Sequence, residues 1–192
     1  MPLEFPTPPR PRPDQLAVLV IDVQPRFLQI MAGDPAPVLL RIEQLLRLAG
    51  TLALPLIATI EEPVDAKGEL PPELSRALPE QARTFRKWTY DCCAEPEIKA
   101  AISSLGGPQI AVAGAESDVC VLQTVLSLVE LGLQVFLVED CIFSSAAETG
   151  AALERMKQAG ATFVSYKTLY YELFGRVRTE PQPEGLLTPL EL

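Results

Sequence analysis

Three residues with reactive side chains stand at or just after predicted β-strands. Asp22 follows the apolar run Leu16–Val20, Lys87 ends a shorter stretch of strand character, and Cys120 comes soon after the run Ile110–Gly114. In a parallel sheet flanked by helices, ligands bind beyond the carboxyl ends of the strands. We therefore expect a carboxylate, an amine and a thiol to meet at one edge of such a sheet.

Together, these three groups could cleave an amide-type bond. A free thiol has a pKa near ~8.5, and a helix N-terminus or a neighbouring ammonium stabilises its thiolate. Cys120 opens a predicted helix, so we expect it to be a partly exposed thiolate that attacks a carbonyl carbon. Asp22 would take the thiol proton and pass it to the leaving amine. Lys87 would keep Asp22 anionic.

Each of the three residues has a simpler explanation when it is considered alone. Asp22 could cap the turn after its strand, Lys87 could be a solvated strand end, and Cys120 could be a small core residue. The combination is more specific than any of its members. The remaining cysteines lack such surroundings, and we interpret them as structural: Cys92, Cys93 and Cys141.

The composition excludes several classes of function. The 192 residues include no histidine, which excludes Ser-His and Cys-His triads and zinc sites built on histidine. With 16 Lys and Arg against 25 Asp and Glu, the net charge of −9 would repel nucleic acid and anionic lipid. No apolar stretch approaches the roughly 20 residues of a membrane helix, and four cysteines are too few for a disulfide scaffold. We expect a cytoplasmic protein with a small-molecule substrate and neither a nucleic-acid nor a membrane partner.

Predicted strands and helices alternate along the chain. Short continuous apolar runs are typical of strands buried on both faces, and segments with helical spacing separate them. The predicted strands are Leu16–Val20, Leu54–Thr59, Ala82–Lys87, Ile110–Gly114, Gln134–Glu139 and Ala161–Ser165. The predicted helices are Pro37–Gly50, Pro96–Leu105, Val119–Leu131, a segment that starts with the capping-box pair Ser145 and Glu148 and runs to about Gly160, and Leu169–Phe174. This order predicts an α/β fold, a three-layer α/β/α sandwich with a doubly wound, mainly parallel six-stranded sheet.

Proline-rich segments flank this core. Six prolines fall within the first 13 residues, a density that excludes helices and central strands. We expect residues 1–15 to form an extended arm, residues 16–178 to form one domain, and residues 179–192 to form a tail. The tail would lie on the domain surface or on a neighbouring subunit of a homo-oligomer.

Three segments resemble the signature regions of the isochorismatase-like cysteine hydrolases: LAVLVIDVQPRF, FRKWTY and AVAGAESDVCVLQT. The similarity extends from about Leu16 to Phe174. It implies that Asp22 is the general base, that Lys87 is the family's active-site lysine and that Cys120 is the nucleophile, which forms a covalent thioester.

The same resemblance extends the predicted site beyond these three side chains. It implies an oxyanion hole formed by the backbone amides of Glu116 and Cys120. It also implies a cis peptide bond between Ala115 and Glu116. Four further residues match positions that often line the substrate pocket: Gln24, Phe27, Trp88 and Tyr90.

The sequence departs from one branch of the family after the second strand. Nicotinamidases bind a metal there through an Asp-x-His motif and a further histidine, whereas this chain reads Thr59-Ile-Glu-Glu62. The resemblance is therefore to the metal-free branch of isochorismatase domain-containing proteins, and it implies no metal and no cofactor. We interpret Glu61, Glu62 and Asp65 as a solvated acidic loop rather than a cation site.

The predicted function is hydrolysis of the C–N bond of a small amide by a Cys-Asp-Lys triad. Three alternatives stay open. They are a vinyl-ether-cleaving isochorismatase-type hydrolase, a thiol-redox protein in which Cys92 or Cys93 resolves an oxidised Cys120, and a non-catalytic family member. Loss of the Asp22 carboxylate would abolish amide hydrolysis but would affect thiol oxidation only mildly.

Overall fold

Six parallel strands form one sheet at the centre of the protein. The computed structural model describes residues 9–177 and 181–192. Its strands are β1 (Leu16–Ile21), β2 (Leu56–Glu61), β3 (Arg83–Lys87), β4 (Gln109–Ala115), β5 (Gln134–Phe143) and β6 (Thr162–Val164). They lie in the order β3-β2-β1-β4-β5-β6, and every neighbouring pair is parallel. The strand order reverses between β1 and β4, which is where doubly wound sheets bind ligands.

Helices cover both faces of this sheet. They are α1 (Pro25–Ile30), α2 (Pro35–Thr51), α3 (Val64–Lys67), α4 (Pro72–Ala77), α5 (Pro96–Ser103), α6 (Cys120–Glu130), α7 (Gly150–Ala159) and α8 (Tyr166–Phe174), with a 3-10 turn at Cys92–Ala94. None of the helices in the described part of the chain is both long and apolar enough to cross a membrane.

Alternate residues of the strands belong to two separate hydrophobic clusters. Val18 and Val20 of β1 pack with residues of α2, α4 and α8, whereas Leu19 and Ile21 pack with residues of α5, α6 and α7. This alternation follows from the two-residue period of a strand. It confirms the predicted α/β/α sandwich, in which every strand-to-strand pairing is parallel.

The predicted elements are present with boundaries shifted by a few residues, as in β2, which ends at Glu61 rather than at Thr59. Two further boundaries differ in an informative way. The capping box proposed at Ser145 is wrong, because α7 starts only at Gly150 and the Ser145 amide donates to Glu116 Oε1 instead. Strand β5 continues to Phe143 rather than ending at Glu139. Its pairing with β4 shifts in register between Val112 and Gly114, and the additional residues Cys141 and Phe143 are buried in the core.

The backbones of β1 and β4 approach each other very closely at the switch point. A Cβ atom on Gly114 would lie 2.0 Å from the carbonyl oxygen of Ile21. Gly114 has a φ of 115°, which other residues rarely adopt. Asp22, the next residue after β1, has a φ of 49°, a left-handed conformation that aspartate tolerates better than most residues. This local geometry sets the direction in which the Asp22 side chain leaves the sheet.

Both tails contact the core where they are described. In the tail, Leu186 is buried, and the Gln44 side chain of α2 bonds Gly185 and Leu187. In the arm, the amide of Arg12 donates to the side chain of Gln109 at the start of β4. Residues 1–8 and 178–180, on which parts of the arm and domain predictions depend, lie outside the described residues.

Candidate active site

Asp22 and Lys87 form a buried ion pair at the carboxyl edge of the sheet. Lys87 Nζ lies 2.6 Å from Asp22 Oδ2, and both side chains are completely buried. The Thr59 hydroxyl of β2 donates to Asp22 Oδ1 over 2.8 Å. The Lys87 ammonium also donates to the carbonyl oxygen of Thr89, over 2.9 Å. The structure thus brings together two of the three predicted catalytic groups.

Cys120 lies beside this pair as the first residue of α6. Its Sγ atom and the nearest carboxylate oxygens of Asp22 and Glu61 all lie within 4.8 Å of one another. The three predicted groups therefore converge from β1, β3 and the start of α6, which is the arrangement expected at strand ends. Their catalytic roles remain predictions.

The state of the Cys120 thiol differs from the one expected from sequence. Only 2% of the residue is exposed, and this burial raises the pKa of Cys120 well above its ordinary range, although the Lys87 ammonium works in the opposite direction. The expectation of a partly exposed thiolate is therefore wrong for this structure, in which the group is a buried thiol. A helix N-terminus and one ammonium do not offset the loss of hydration and the presence of two carboxylates.

Glu61 is the residue of the site that the sequence interpretation missed. It is the last residue of β2 and is buried, so its assignment to a solvated acidic loop is wrong. The Cys120 thiol donates to its Oε2 atom over 3.2 Å. Lys87 Nζ lies 3.3 Å from the same oxygen, and Lys67 Nζ lies 2.6 Å from Oε1. Ligands bind at strand ends, and this rule applies to Glu61 as well as to Asp22 and Lys87. Glu61 ends β2 and is paired with Lys87 in the β2–β3 register.

The two carboxylates differ in their electrostatic surroundings. Burial raises the pKa of Asp22 above its usual value, and the nearby Lys87 ammonium only partly offsets this effect. Burial acts on Glu61 too, but hydrogen bonds from Lys67 and Cys120, together with the Lys87 charge, lower the pKa of Glu61 below its usual value. For Lys87, burial is outweighed by the Asp22 carboxylate, which raises the pKa of the ammonium. Lys87 is therefore charged at every pH at which the protein would work.

Gln24 holds Glu61 rather than the Asp22 side chain. Its side-chain oxygen accepts from the Glu61 amide over 2.8 Å, and its side-chain nitrogen donates to the carbonyl oxygens of Glu61 and Gly68. Gln24 is fully buried. Its amide group thus bonds backbone groups, and its place in the substrate pocket remains a prediction.

The three predicted aromatic pocket residues have different surroundings. Phe27 is buried in the cluster that contains α2, as in ordinary core packing. Trp88 and Tyr90 directly follow Lys87 and are 73% and 57% exposed. Glu95 Oε1 accepts hydrogen bonds from the amides of Trp88 and Thr89, so this short segment has a fixed path beside the buried lysine.

The loop before Cys120 is hydrogen-bonded to residues at the end of β5. The bond between Ala115 and Glu116 is cis, as the resemblance implies. The Ser117 amide donates to the Phe143 carbonyl oxygen, and Asp118 Oδ1 accepts from the Ser144 hydroxyl over 2.6 Å. Because the first amides of a helix have no partner within it, the Cys120 amide is available for an oxyanion. The roles of the Glu116 and Cys120 amides remain predictions.

A cation site at the same place is not favoured by the charges. The oxygens of Asp22 and Glu61 and the sulfur of Cys120 are close enough together to hold a metal ion. The Lys87 ammonium, however, already lies 2.6 Å from one carboxylate and 3.3 Å from the other. A divalent ion there would have to sit beside this buried ammonium, with a strong repulsion.

Comparison with known proteins identifies the family. Residues 16–168 match the model of the isochorismatase domain. The chain belongs to the isochorismatase family. This confirms the resemblance drawn from the three sequence segments, which lie within the matched residues.

Relatives of this isochorismatase-family protein include bacterial and animal proteins. A protein of Escherichia coli described as the probable hydrolase YcaC is 30% identical over 90% of this chain and 83% of its own. The isochorismatase domain-containing protein 2 of Macaca fascicularis is 30% identical over 85% of this chain and 77% of its own. The chain is thus similar to these two proteins over 85–90% of its length.

Solved structures of YcaC proteins share the fold. The Escherichia coli protein, described as an octameric hydrolase of unknown specificity, superposes with a TM-score of 0.83 at 28% identity over 88% of this chain and 85% of its own. YcaC from Pseudomonas aeruginosa, determined with hexane-2,5-diol and covalent acrylamide, superposes with a TM-score of 0.84 at 28% identity over 90% of this chain and 86% of its own. Both superpositions agree with the α/β/α architecture described above.

Proposed function

We propose that this isochorismatase-family protein is a cysteine hydrolase that cleaves the C–N bond of a small amide. Cys120 is the nucleophile, and the Asp22–Lys87 pair is its charged partner. The observation that carries the proposal is the convergence of a thiol at the start of α6 with a fully buried ion pair 2.6 Å long. A structural cysteine would not need two ionised groups buried beside it, since burying such groups costs several kcal/mol per ion.

The reaction has two halves. Cys120 loses its proton to a neighbouring carboxylate, which family likeness assigns to Asp22, and attacks the carbonyl carbon. The amides of Glu116 and Cys120 stabilise the oxyanion that forms. The leaving nitrogen takes the proton, a thioester remains on Cys120, and water then releases the acid. Lys87 stabilises negative charge in both halves.

The burial of the site favours a small and compact substrate. Cys120 is 2% exposed and its charged neighbours less than a tenth, so a bulky chain could not reach the sulfur without a large rearrangement. Trp88 and Tyr90, the exposed aromatic residues next to Lys87, are the surfaces that a small amide would meet first.

A thiol-redox function is the second candidate, and Cys92 is the observation that favours it. Its sulfur lies 3.9 Å from the Thr59 hydroxyl, next to the partner of Asp22. The Cys92 thiol, however, faces a hydroxyl group, whereas the Cys120 thiol faces the Glu61 carboxylate, which can take its proton. We therefore favour hydrolysis.

We further propose that the protein acts in the cytoplasm as a homo-oligomer. The four cysteines are described as free thiols, in keeping with a reducing compartment. The Escherichia coli relative is octameric. Sedimentation velocity at micromolar concentration tests the oligomeric state, and a monomer would contradict the proposed homo-oligomer.

The function is tested by ammonia or amine release from a panel of small amides, ureas and N-carbamoyl compounds. Wild type should turn over at least one class, and Cys120→Ala should not. Cys141→Ala is the matched control, because this buried cysteine lies in the other hydrophobic cluster. Equal turnover by wild type and Cys120→Ala would contradict the proposal.

A further inference from the structure

We propose that Glu61 is a second catalytic carboxylate, the group that receives the proton of Cys120 when the sulfur attacks. This inference rests on the proposed function and refines it, since family likeness gives that task to Asp22. A general base must lie within hydrogen-bond reach of the proton that it abstracts. Glu61 Oε2 meets this requirement, because the Cys120 thiol donates to it over 3.2 Å.

Asp22 is already committed to other partners. The Thr59 hydroxyl donates to one of its oxygens over 2.8 Å, and Lys87 Nζ lies 2.6 Å from the other. To accept the thiol proton, Asp22 would have to weaken one of these contacts at a fully buried position. Its role in this scheme is to hold the Lys87 ammonium beside the developing charge on sulfur.

Glu61 is held in place from three sides. Gln24 bonds both its backbone amide and its carbonyl oxygen. Lys67 on α3 binds Oε1 over 2.6 Å, and Lys87 approaches Oε2 to 3.3 Å. Its carboxylate therefore faces the sulfur without the entropy cost of ordering a free side chain. A residue placed there for packing alone would not require two lysines.

The charges around the sulfur complete this arrangement. Three charged residues at strand ends lie around Cys120: Asp22 after β1, Glu61 at the end of β2 and Lys87 at the end of β3. Lys67, on α3, contacts the outer oxygen of Glu61. The negative charges of the two carboxylates are balanced by the positive charges of the two lysines. No excess positive charge is left to stabilise a thiolate, so the buried resting thiol keeps its proton. Cys92, on the 3-10 turn, is the further titratable group near the pair, and its raised pKa keeps it neutral. The reaction therefore begins from a thiol and needs an acceptor for its proton.

The proton balance through Glu61 closes over one turnover. The Cys120 Sγ–H proton moves to Glu61 Oε2 as the S–C bond forms and the carbonyl electron pair moves onto oxygen. When the C–N bond breaks, the leaving nitrogen takes that proton from Glu61. In the second half, water attacks the thioester and gives a proton to Glu61, and the C–S bond breaks as the sulfur takes the proton back. The sum is amide plus water giving acid plus amine.

The test compares Glu61→Gln with Glu62→Gln. Glu62 is the neighbouring carboxylate, but it bonds Arg86 and the Val64 amide rather than the thiol. The first measurement is the pH dependence of Cys120 alkylation by iodoacetamide, followed by peptide mass mapping. Glu61→Gln removes the negative charge beside the Cys120 sulfur, and this lowers the pKa of the thiol. Alkylation of Cys120 at neutral pH should therefore become about tenfold faster or more. Glu62→Gln should leave it unchanged.

The second measurement is turnover of a substrate found by the amide panel. Glu61→Gln should lower turnover by about 100-fold or more, although its thiol reacts faster with iodoacetamide. Structural damage would also expose the buried thiol and speed its alkylation, so alkylation of Cys141, an equally buried cysteine, is measured in the same digest. Faster alkylation of Cys120 with unchanged alkylation of Cys141, together with lower turnover, identifies a proton acceptor. Unchanged or slower alkylation, or turnover within about threefold of wild type, would overturn the role of Glu61. If Cys120→Ala is inactive while Glu61→Gln is active, only this inference fails and the proposed function stands.

Lys67→Met gives a further test that keeps the Glu61 carboxylate in place. Without the Lys67 ammonium, the pKa of Glu61 should rise, because one of the groups that lowers it is lost. The acidic limb of the pH profile of kcat/KM should then move to higher pH. An acidic limb at the wild-type position would overturn the assignment of that limb to Glu61.

Discussion

Lys87 Nζ lies 2.6 Å from Asp22 Oδ2, and neither side chain is exposed. Asp22 directly follows β1 and Lys87 ends β3, and β2 lies between these two strands. The ion pair therefore crosses the carboxyl end of β2 and connects three strands. This ion pair stabilises the edge of the sheet and holds the Lys87 ammonium near Cys120.

Replacing the lysine of this pair by an uncharged residue should destabilise the protein strongly. Lys87→Met should lower the free energy of unfolding by about 3–5 kcal/mol, because it leaves the Asp22 carboxylate buried without its cation. The double variant Asp22→Leu, Lys87→Met should recover much of that loss. Urea unfolding of the two variants and wild type measures both effects. A double variant less stable than Lys87→Met would contradict the idea that an unpaired charge causes the loss.

Asp22→Asn should lower turnover by about 100-fold or more while the fold is retained. The amide keeps the size of the side chain but removes the charge that holds the Lys87 ammonium beside the sulfur. Asp65→Asn, at an exposed position of α3, is the control and should match wild type. The comparison is made by steady-state rates on a substrate from the amide panel. Near-normal rates for Asp22→Asn would contradict a role of the Asp22 charge in turnover.

The fold and much of the site could be predicted from the sequence because strands buried on both faces are continuous apolar runs. Leu16–Ile21 is such a run, and the rule that ligands bind at strand ends then selects Asp22, Lys87 and the region of Cys120. Glu61 was missed because it is followed by another acidic residue and a proline, a pattern typical of exposed loops. Its burial depends on Lys67 and Gln24, and no local pattern indicates that these residues contact it.

The protonation state of Cys120 could not be predicted for a related reason. Sequence identifies the charged groups near a thiol but not the amount of water around it. Here burial raises the pKa of Cys120 more than the Lys87 ammonium lowers it. The capping box at Ser145 failed similarly, because a tertiary contact with Glu116 replaced the local one.

Gly114→Ala should destabilise the protein by about 3 kcal/mol or more. The added Cβ would lie 2.0 Å from the Ile21 carbonyl oxygen, and the φ of 115° is unfavourable for alanine. Gly150→Ala is the matched control, because nothing lies within 4 Å of its Cβ position at the start of α7. Thermal unfolding should show a large loss for the first variant and a neutral or slightly positive change for the second. Similar losses in both would argue against the close approach of β1 and β4.

The contribution of Glu61 to stability should depend on pH in a defined direction. Its pKa is lowered in the folded protein from the ordinary value of 4.5, so its stabilising effect is present above that pH. It is lost as the pH falls through the lower folded-state value. The difference in unfolding free energy between wild type and Glu61→Gln should therefore shrink as the pH falls below the ordinary value of 4.5. Urea titrations at several pH values measure it, and a constant difference would show that the carboxylate is not specifically stabilised.

The most direct test of the catalytic account is detection of the acyl group on Cys120. Wild type is mixed with a substrate from the amide panel, quenched in acid during turnover and digested for peptide mass measurement. The peptide that contains Cys120 should carry the acyl mass, hydroxylamine should remove it, and Cys120→Ala should show neither adduct nor turnover. Turnover without any adduct, together with full activity of Cys120→Ala, would contradict Cys120 as the nucleophile.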